Sequence, residues 1–161
     1  MTRDEFVQRF GGVFEHSPWI AARAWENGLP ARLEAASLHA ALCAVFRAAT
    51  QDEQTGVIRA HPDLAGKLAV AAELTAASRS EQASAGLDQC TTEEFDRFQI
   101  LNDAYKSKFG FPFILAVRGL SRGDILSAFA KRIENDTAGE FEEALRQIEK
   151  IVLLRLNELL P

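Results

Sequence analysis

The sequence has 161 residues, 47% of them hydrophobic, which is enough for one folded domain spanning residues 1–161. A formal net charge of -5 and the absence of any block of about five like charges exclude the basic footprint of a nucleic-acid binder. Two cysteines, Cys43 and Cys90, are too few for a disulfide framework, lack zinc-ligand spacing and read as buried small hydrophobes. No apolar run reaches about 18 residues and no basic-then-apolar leader appears, so the expectation is a cytoplasmic protein without a nucleic-acid or membrane partner.

Helix signals recur along the chain. Thr2 and Glu5 have capping-box spacing and open a first helix, with Phe6, Val7 and Phe10 apolar and Gly11-Gly12 stopping it. Ser17-Pro18 reads as an N-cap followed by proline at the first helical position. The helix it starts places Trp19, Ala22 and Trp25 or Glu26 along one side and ends at Gly28. Pro30 introduces a longer helix over about 31–49, with Leu33, Ala36, Ala40, Val45 and Phe46 facing inward, and residues 51–59 form a short one.

Next comes HPDLAGKLAVAAELTAASRSEQ, residues 61–82, which carries polar chemistry at its two ends and a thin, small-residue middle. After a break at Ala85-Gly86-Leu87, Thr91 and Glu94 form another capping box, Cys90 and Phe95 its hydrophobic staple, and a helix runs to about Lys108. Gly110 to Val117 is an apolar run without a pairing partner, better read as a buried extended connection than as a strand. Asp124 to Ile133 is helical again, and Thr137 with Glu140 caps a long terminal helix to Leu160. The fold class is all-α, a single compact domain of about eight helices.

Within the terminal helix, Phe141, Leu145, Ile148, Val152, Arg155 and Leu159 share one face. Arg155 thus occupies a position where the pattern wants an apolar side chain, and a buried arginine needs an anionic partner. That partner is either a structural carboxylate or an anionic ligand. Of the three histidines, His39 sits in an amphipathic helix and reads as structural, while His16 is placed to cap, pack or line a pocket. His61 precedes a proline, so it belongs just outside a helix end, open to solvent or a cleft and titrating near neutrality. Ser78 and Glu81 have S-x-x-E spacing, which either starts a helix or offers free N–H groups to an anion. No histidine–carboxylate spacing suits a metal, and no glycine-rich phosphate loop or nucleophile elbow is present.

The blocks FVQRFGGVFEHSPWIAARAW, IRAHPDLAGKLA, LTAASRSEQASAGLD, FQILNDAYKSKFGFPFILAVRG and IEKIVLLRLNEL, in this order from about residue 5 to 159, resemble the OHCU decarboxylases. These act on 2-oxo-4-hydroxy-4-carboxy-5-ureidoimidazoline (OHCU), the last intermediate between uric acid and (S)-allantoin. The resemblance implies an all-helical, cofactor-free and usually dimeric enzyme, hence a small-molecule substrate and a homodimer here. It implies that His61 is the catalytic proton donor, with Pro62 beside it contacting substrate. It implies a binding segment Ser78, Arg79, Ser80, Glu81 and Gln82, with Glu81 the essential carboxylate, hydrogen-bonded to His61 or to the substrate hydroxyl. A second binding segment is Phe113, Ile114, Leu115, Ala116 and Val117, acting through backbone groups, and Arg155 reaches the substrate from the last helix. Eukaryotic members often end in a peroxisomal signal; the ending Leu159-Leu160-Pro161 is not one, which points to a bacterial-type cytoplasmic protein. The alternatives are a non-catalytic helical binding module, which a structural carboxylate on Arg155 would favour, and a same-fold enzyme for a related ureido or hydantoin acid.

Overall fold

Local hydrogen bonds decide where the helices begin. The computed structural model describes residues 1–66 and 74–161, so the thin middle of the 61–82 stretch lies mostly outside the described residues. Helix α1 (Arg3–Phe10) starts at the Thr2–Glu5 capping box. Helices α2 (Trp19–Asn27), α3 (Ala35–Ala48) and α4 (Gln51–Arg59) follow. Then come α5 (Ala76–Ser84), a 3-10 turn at Leu87–Gln89, and α6 (Thr92–Phe109), which opens on the Thr91–Glu94 box. Helix α7 (Arg122–Arg132) starts at Ser121, and α8 (Thr137–Leu159) closes the chain. The described residues hold eight α-helices and no strand; the fold is all-α, and Gly110–Val117 is an irregular connection.

Several boundaries differ from the sequence expectation. Pro18, not Ser17, is the α2 cap, because the buried Ser17 hydroxyl donates to the Glu15 carbonyl at 2.9 Å. Helix α2 buries Ile20, Ala21 and Ala24, leaving Trp19, Ala22 and Trp25 half-buried. Helix α3 begins only at Ala35, and its buried stripe is Leu38, Leu42, Val45 and Phe46 while Ala36 and Ala40 are exposed. Bulky side chains gain more by leaving water than alanines do, so they set the phase. On α8 the Gly139 N–H donates to Asp136 Oδ1 at 2.6 Å, so Asp136 satisfies the first turn and Glu140 is released for the interior.

The described contacts divide into two units. The first comprises residues 1–61 and 145–161: helices α1 to α4 and the later part of α8. Its interior includes Phe6, Phe10, Phe14, Ile20, Phe46 and Ile58, with Phe14 and Phe46 edge to face at 5.1 Å between ring centres. The second comprises residues 62–144, where the Tyr105 ring lies within 6.1 Å, centre to centre, of Phe109, Phe111, Phe113 and Phe129. Cys43 is buried and its thiol is pushed up to about 12, chiefly by burial. Cys90 is only half-buried, short of the full burial expected.

Candidate active site

In the first unit, α4 ends at Arg59 and Pro62 forbids its continuation, leaving His61 just beyond the helix as its sequence requires. The imidazole is not open, however: His61 is 8% exposed. Its ring turns back on the helix, and Nδ1 meets the Val57 carbonyl at 2.9 Å. A carbonyl only accepts, so Nδ1 carries the proton and the neutral ring presents Nε2 as an acceptor. Titration near neutrality is also corrected. Burial pushes the imidazolium down to about 4, against the Val57 hydrogen bond and the Glu15 carboxylate, while Arg155 and His16 add to the lowering.

Arg155 is 6% exposed and lies between two kinds of acceptor. Its Nη2 donates to Glu15 Oε2 at 2.8 Å, and its Nη1 to the carbonyls of Gly12 and Val13 at 3.3 and 3.4 Å. Glu15, 1% exposed, is the neighbour of Arg155 that sequence reasoning missed. The demand of a buried arginine for an anion was readable, but not which of 23 acidic residues supplies it. The next residue, His16, is exposed with φ of 50° and stays 3.8 Å from Glu15 Oε1. His39 is structural, its Nε2 meeting the Glu149 carbonyl at 2.8 Å.

The His61 shift carries a stability prediction. The folded-state pKa lies below the unfolded value near 6.5, so the unfolded chain binds more protons between them. Stability from this group is full above that range and falls as pH drops through it. From pH 7 to pH 5 the loss is about 2 kcal/mol. Urea midpoints across that range should show it, and His61→Asn should flatten the slope.

In the second unit, Thr75 caps α5 through the Ser78 N–H at 3.2 Å, so Ser78 lies inside the first turn and does not start the helix. Ser78 and Gln82 are buried, Glu81 is half-buried, and Arg79 and Ser80 are exposed. Gln82 spends both ends of its amide on the loop after His61: Oε1 accepts from the Ala65 N–H at 3.0 Å, and Nε2 donates to the Asp63 carbonyl at 3.2 Å. Helix α6 grips the same loop. Gln99 Nε2 donates to the Ala65 carbonyl at 2.8 Å, Asn102 Nδ2 to the Leu64 carbonyl at 2.9 Å, and Lys106 Nζ meets Asp63 Oδ2 at 2.7 Å. The loop is strained: Ala65 has φ of 49°, a left-handed conformation costing about 1–2 kcal/mol for a residue with a Cβ. Gly66 follows where a Cβ would come within 2.8 Å of Asp63 Cβ. Pro62 is half-buried at the head of this loop.

Phe113, Ile114 and Val117 are buried, while Leu115 and Ala116 are half-buried. This segment is held from behind by Arg132, whose Nη1 donates to the Ile114 carbonyl and whose guanidinium stacks 4.4 Å from the Phe113 ring centre. Arg132 is itself bound to Glu140, Nη2 to Oε2 at 2.9 Å, and Glu140 also accepts from the Tyr105 hydroxyl and from Asn135 at 2.9 Å. Burial and the Glu140 bond push the Tyr105 phenol well up, so it donates throughout the physiological range. Among the described residues no three His, Cys, Asp or Glu side chains converge to hold a metal ion, and no helix is long and apolar enough to cross a membrane.

Comparison with known proteins gives these residues a family context. The family model described as OHCU decarboxylase matches residues 1–157. The 2-oxo-4-hydroxy-4-carboxy-5-ureidoimidazoline decarboxylase of Halalkalicoccus jeotgali is 41% identical over 157 residues, covering 98% of this chain and 86% of that one. The Mus musculus protein of the same name is 39% identical, covering 97% and 86%. Among solved structures, an (S)-allantoin synthase superposes with a TM-score of 0.80 at 30% identity; the match covers 99% of this chain and 51% of that chain, about half its length. With a full-length family match and relatives near 40% identity, this chain belongs to the OHCU decarboxylase family.

Proposed function

We propose that this protein decarboxylates OHCU to (S)-allantoin and CO2, as one enzyme domain over residues 1–161 acting without a cofactor. The observation that carries the reading is the family match over residues 1–157. The substrate supplies its own electron sink, since its carboxylate sits on a ring carbon next to a C=N bond. His61 is the proton carrier, Glu81 the partner carboxylate toward the substrate hydroxyl, and Arg155 the cation for the substrate's negative charge. Pro62, Ser78 to Gln82 and Phe113 to Val117 bind the ring and its ureido arm.

The neutral tautomer of His61 refines its role as general acid. With Nδ1–H held by Val57, Nε2 must take up a proton before it donates one. In the proposed sequence Nε2 accepts the hydroxyl proton as the carbon–carboxylate bond breaks. CO2 leaves, the bonding pair moves into the C=N group, and that nitrogen takes one proton from solvent. The resulting enolate then collapses to a carbonyl as Nε2 returns its proton to the neighbouring carbon, on the one face that gives the (S) product. The sum is substrate anion plus one proton to allantoin and CO2.

The Glu15–Arg155 ion pair is the one observation favouring the non-catalytic alternative, because it supplies Arg155 with a protein anion. The family match supports the enzyme instead. Supplying the unstable substrate in situ from urate and upstream enzymes, then following optical rotation, separates the readings. Fast formation of dextrorotatory (S)-allantoin above the slow racemic background is expected; a rate equal to background sinks the decarboxylase reading. A homodimer and a cytoplasmic location are part of the same proposal.

A further inference from the structure

We propose that Asn102, with Gln99 and Lys106 beside it on α6, is a positioning residue for catalysis, setting the loop that leaves His61 rather than touching substrate. The inference rests on the decarboxylase reading and on geometry within the second unit. Gln99, Asn102 and Lys106 are spaced three and four apart on α6, one helix face, and each holds a different residue of the loop: Ala65, Leu64 and Asp63 respectively. From α5, Gln82 binds the Ala65 N–H and the Asp63 carbonyl. Two helices thus hold three consecutive residues by five hydrogen bonds or ion pairs, and α5 is the helix that carries Glu81. Backbone strain persists only where the surroundings over-determine it, and this loop contains left-handed Ala65.

The amide of Asn102 separates positioning from plain stabilisation. Its Nδ2 must face the Leu64 carbonyl, which fixes the amide's orientation and leaves Oδ1 buried without a hydrogen-bond partner among the described residues. Leucine of similar shape would remove that acceptor but would also leave the buried Leu64 carbonyl without this donor. The two stability effects of leucine oppose each other, whereas the loop loses its hold at Leu64 outright.

The test uses the full chain with Asn102→Leu, Lys106→Met and Lys106→Arg. Turnover of in situ OHCU, thermal melting and hydrogen exchange at the Ala65 amide are measured for each. For Asn102→Leu, kcat should fall about 10–100-fold with little change in KM, the size expected of small misplacements. Its melting temperature should change little, one buried acceptor being removed and another left unpaired, and the Ala65 amide should exchange faster. Lys106→Met should show a smaller fall in kcat that Lys106→Arg restores. Wild-type kcat in Asn102→Leu, a kcat loss matched by loss of folded protein, or unchanged Ala65 exchange would each overturn the proposal. Wild-type protein without turnover would overturn the decarboxylase reading instead, and the exchange measurement, which needs no substrate, keeps the two failures apart.

Discussion

Replacing His61 with asparagine is expected to lower turnover by about 10²–10⁴-fold, the usual contribution of a positioned acid or base. The side chain shortens by a ring, so no group remains where Nε2 presents its lone pair. The folded state should survive, because asparagine retains an amide donor for the Val57 carbonyl that now takes Nδ1–H. Substitution by glutamine or alanine should be equally inactive. Near-wild-type CO2 release from His61→Asn, with normal melting, would show that the proton travels by another route.

A larger effect on stability is expected at Arg132. Arg132 is 8% exposed and Glu140 fully buried, and their pair also serves Tyr105, Asn135 and the Ile114 carbonyl. Arg132→Met leaves the Glu140 carboxylate buried without its cation, a loss of about 3–5 kcal/mol when one partner of such a pair is removed. Arg132→Met combined with Glu140→Leu removes both charges and should recover part of that loss, the remainder reflecting the buried Tyr105 hydroxyl and Ile114 carbonyl that lose their partners. Urea denaturation of the single and double variants checks the order. A single variant within about 1 kcal/mol of wild type would mean that the pair adds little to the fold. Because Arg132 also holds Ile114, the double variant should remain less active than its stability alone implies.

Much of the fold was legible because helix starts are local. Thr2 with Glu5, and Thr91 with Glu94, each satisfy orphan N–H groups three residues away, so the pattern and the structure coincide. Where a competing long-range or side-chain bond intervenes, local reading fails. Ser17 donates to Glu15 instead of capping α2, and Glu140 leaves the first turn of α8 for Arg132 and Tyr105. The inward face assigned to α3 held at Val45 and Phe46 and failed at Ala36 and Ala40 for another reason: alanines were counted like bulky side chains, though only the latter gain much by burial.

The candidate site was legible as residue types and spacing, and less so as chemistry. The sequence by itself determined the all-α class, the family, the helix-end position of His61 and the need of Arg155 for an anion. Each depends on neighbours a few residues away or on whole-chain motifs. Only the tertiary structure decided that the anion is Glu15, 140 residues away in sequence. It also decided that His61 is buried, neutral and protonated at Nδ1, and that Gln82 and Asn102 hold the loop after it. Desolvation and long-range hydrogen bonds are properties of what packs around a group, and no local pattern encodes them.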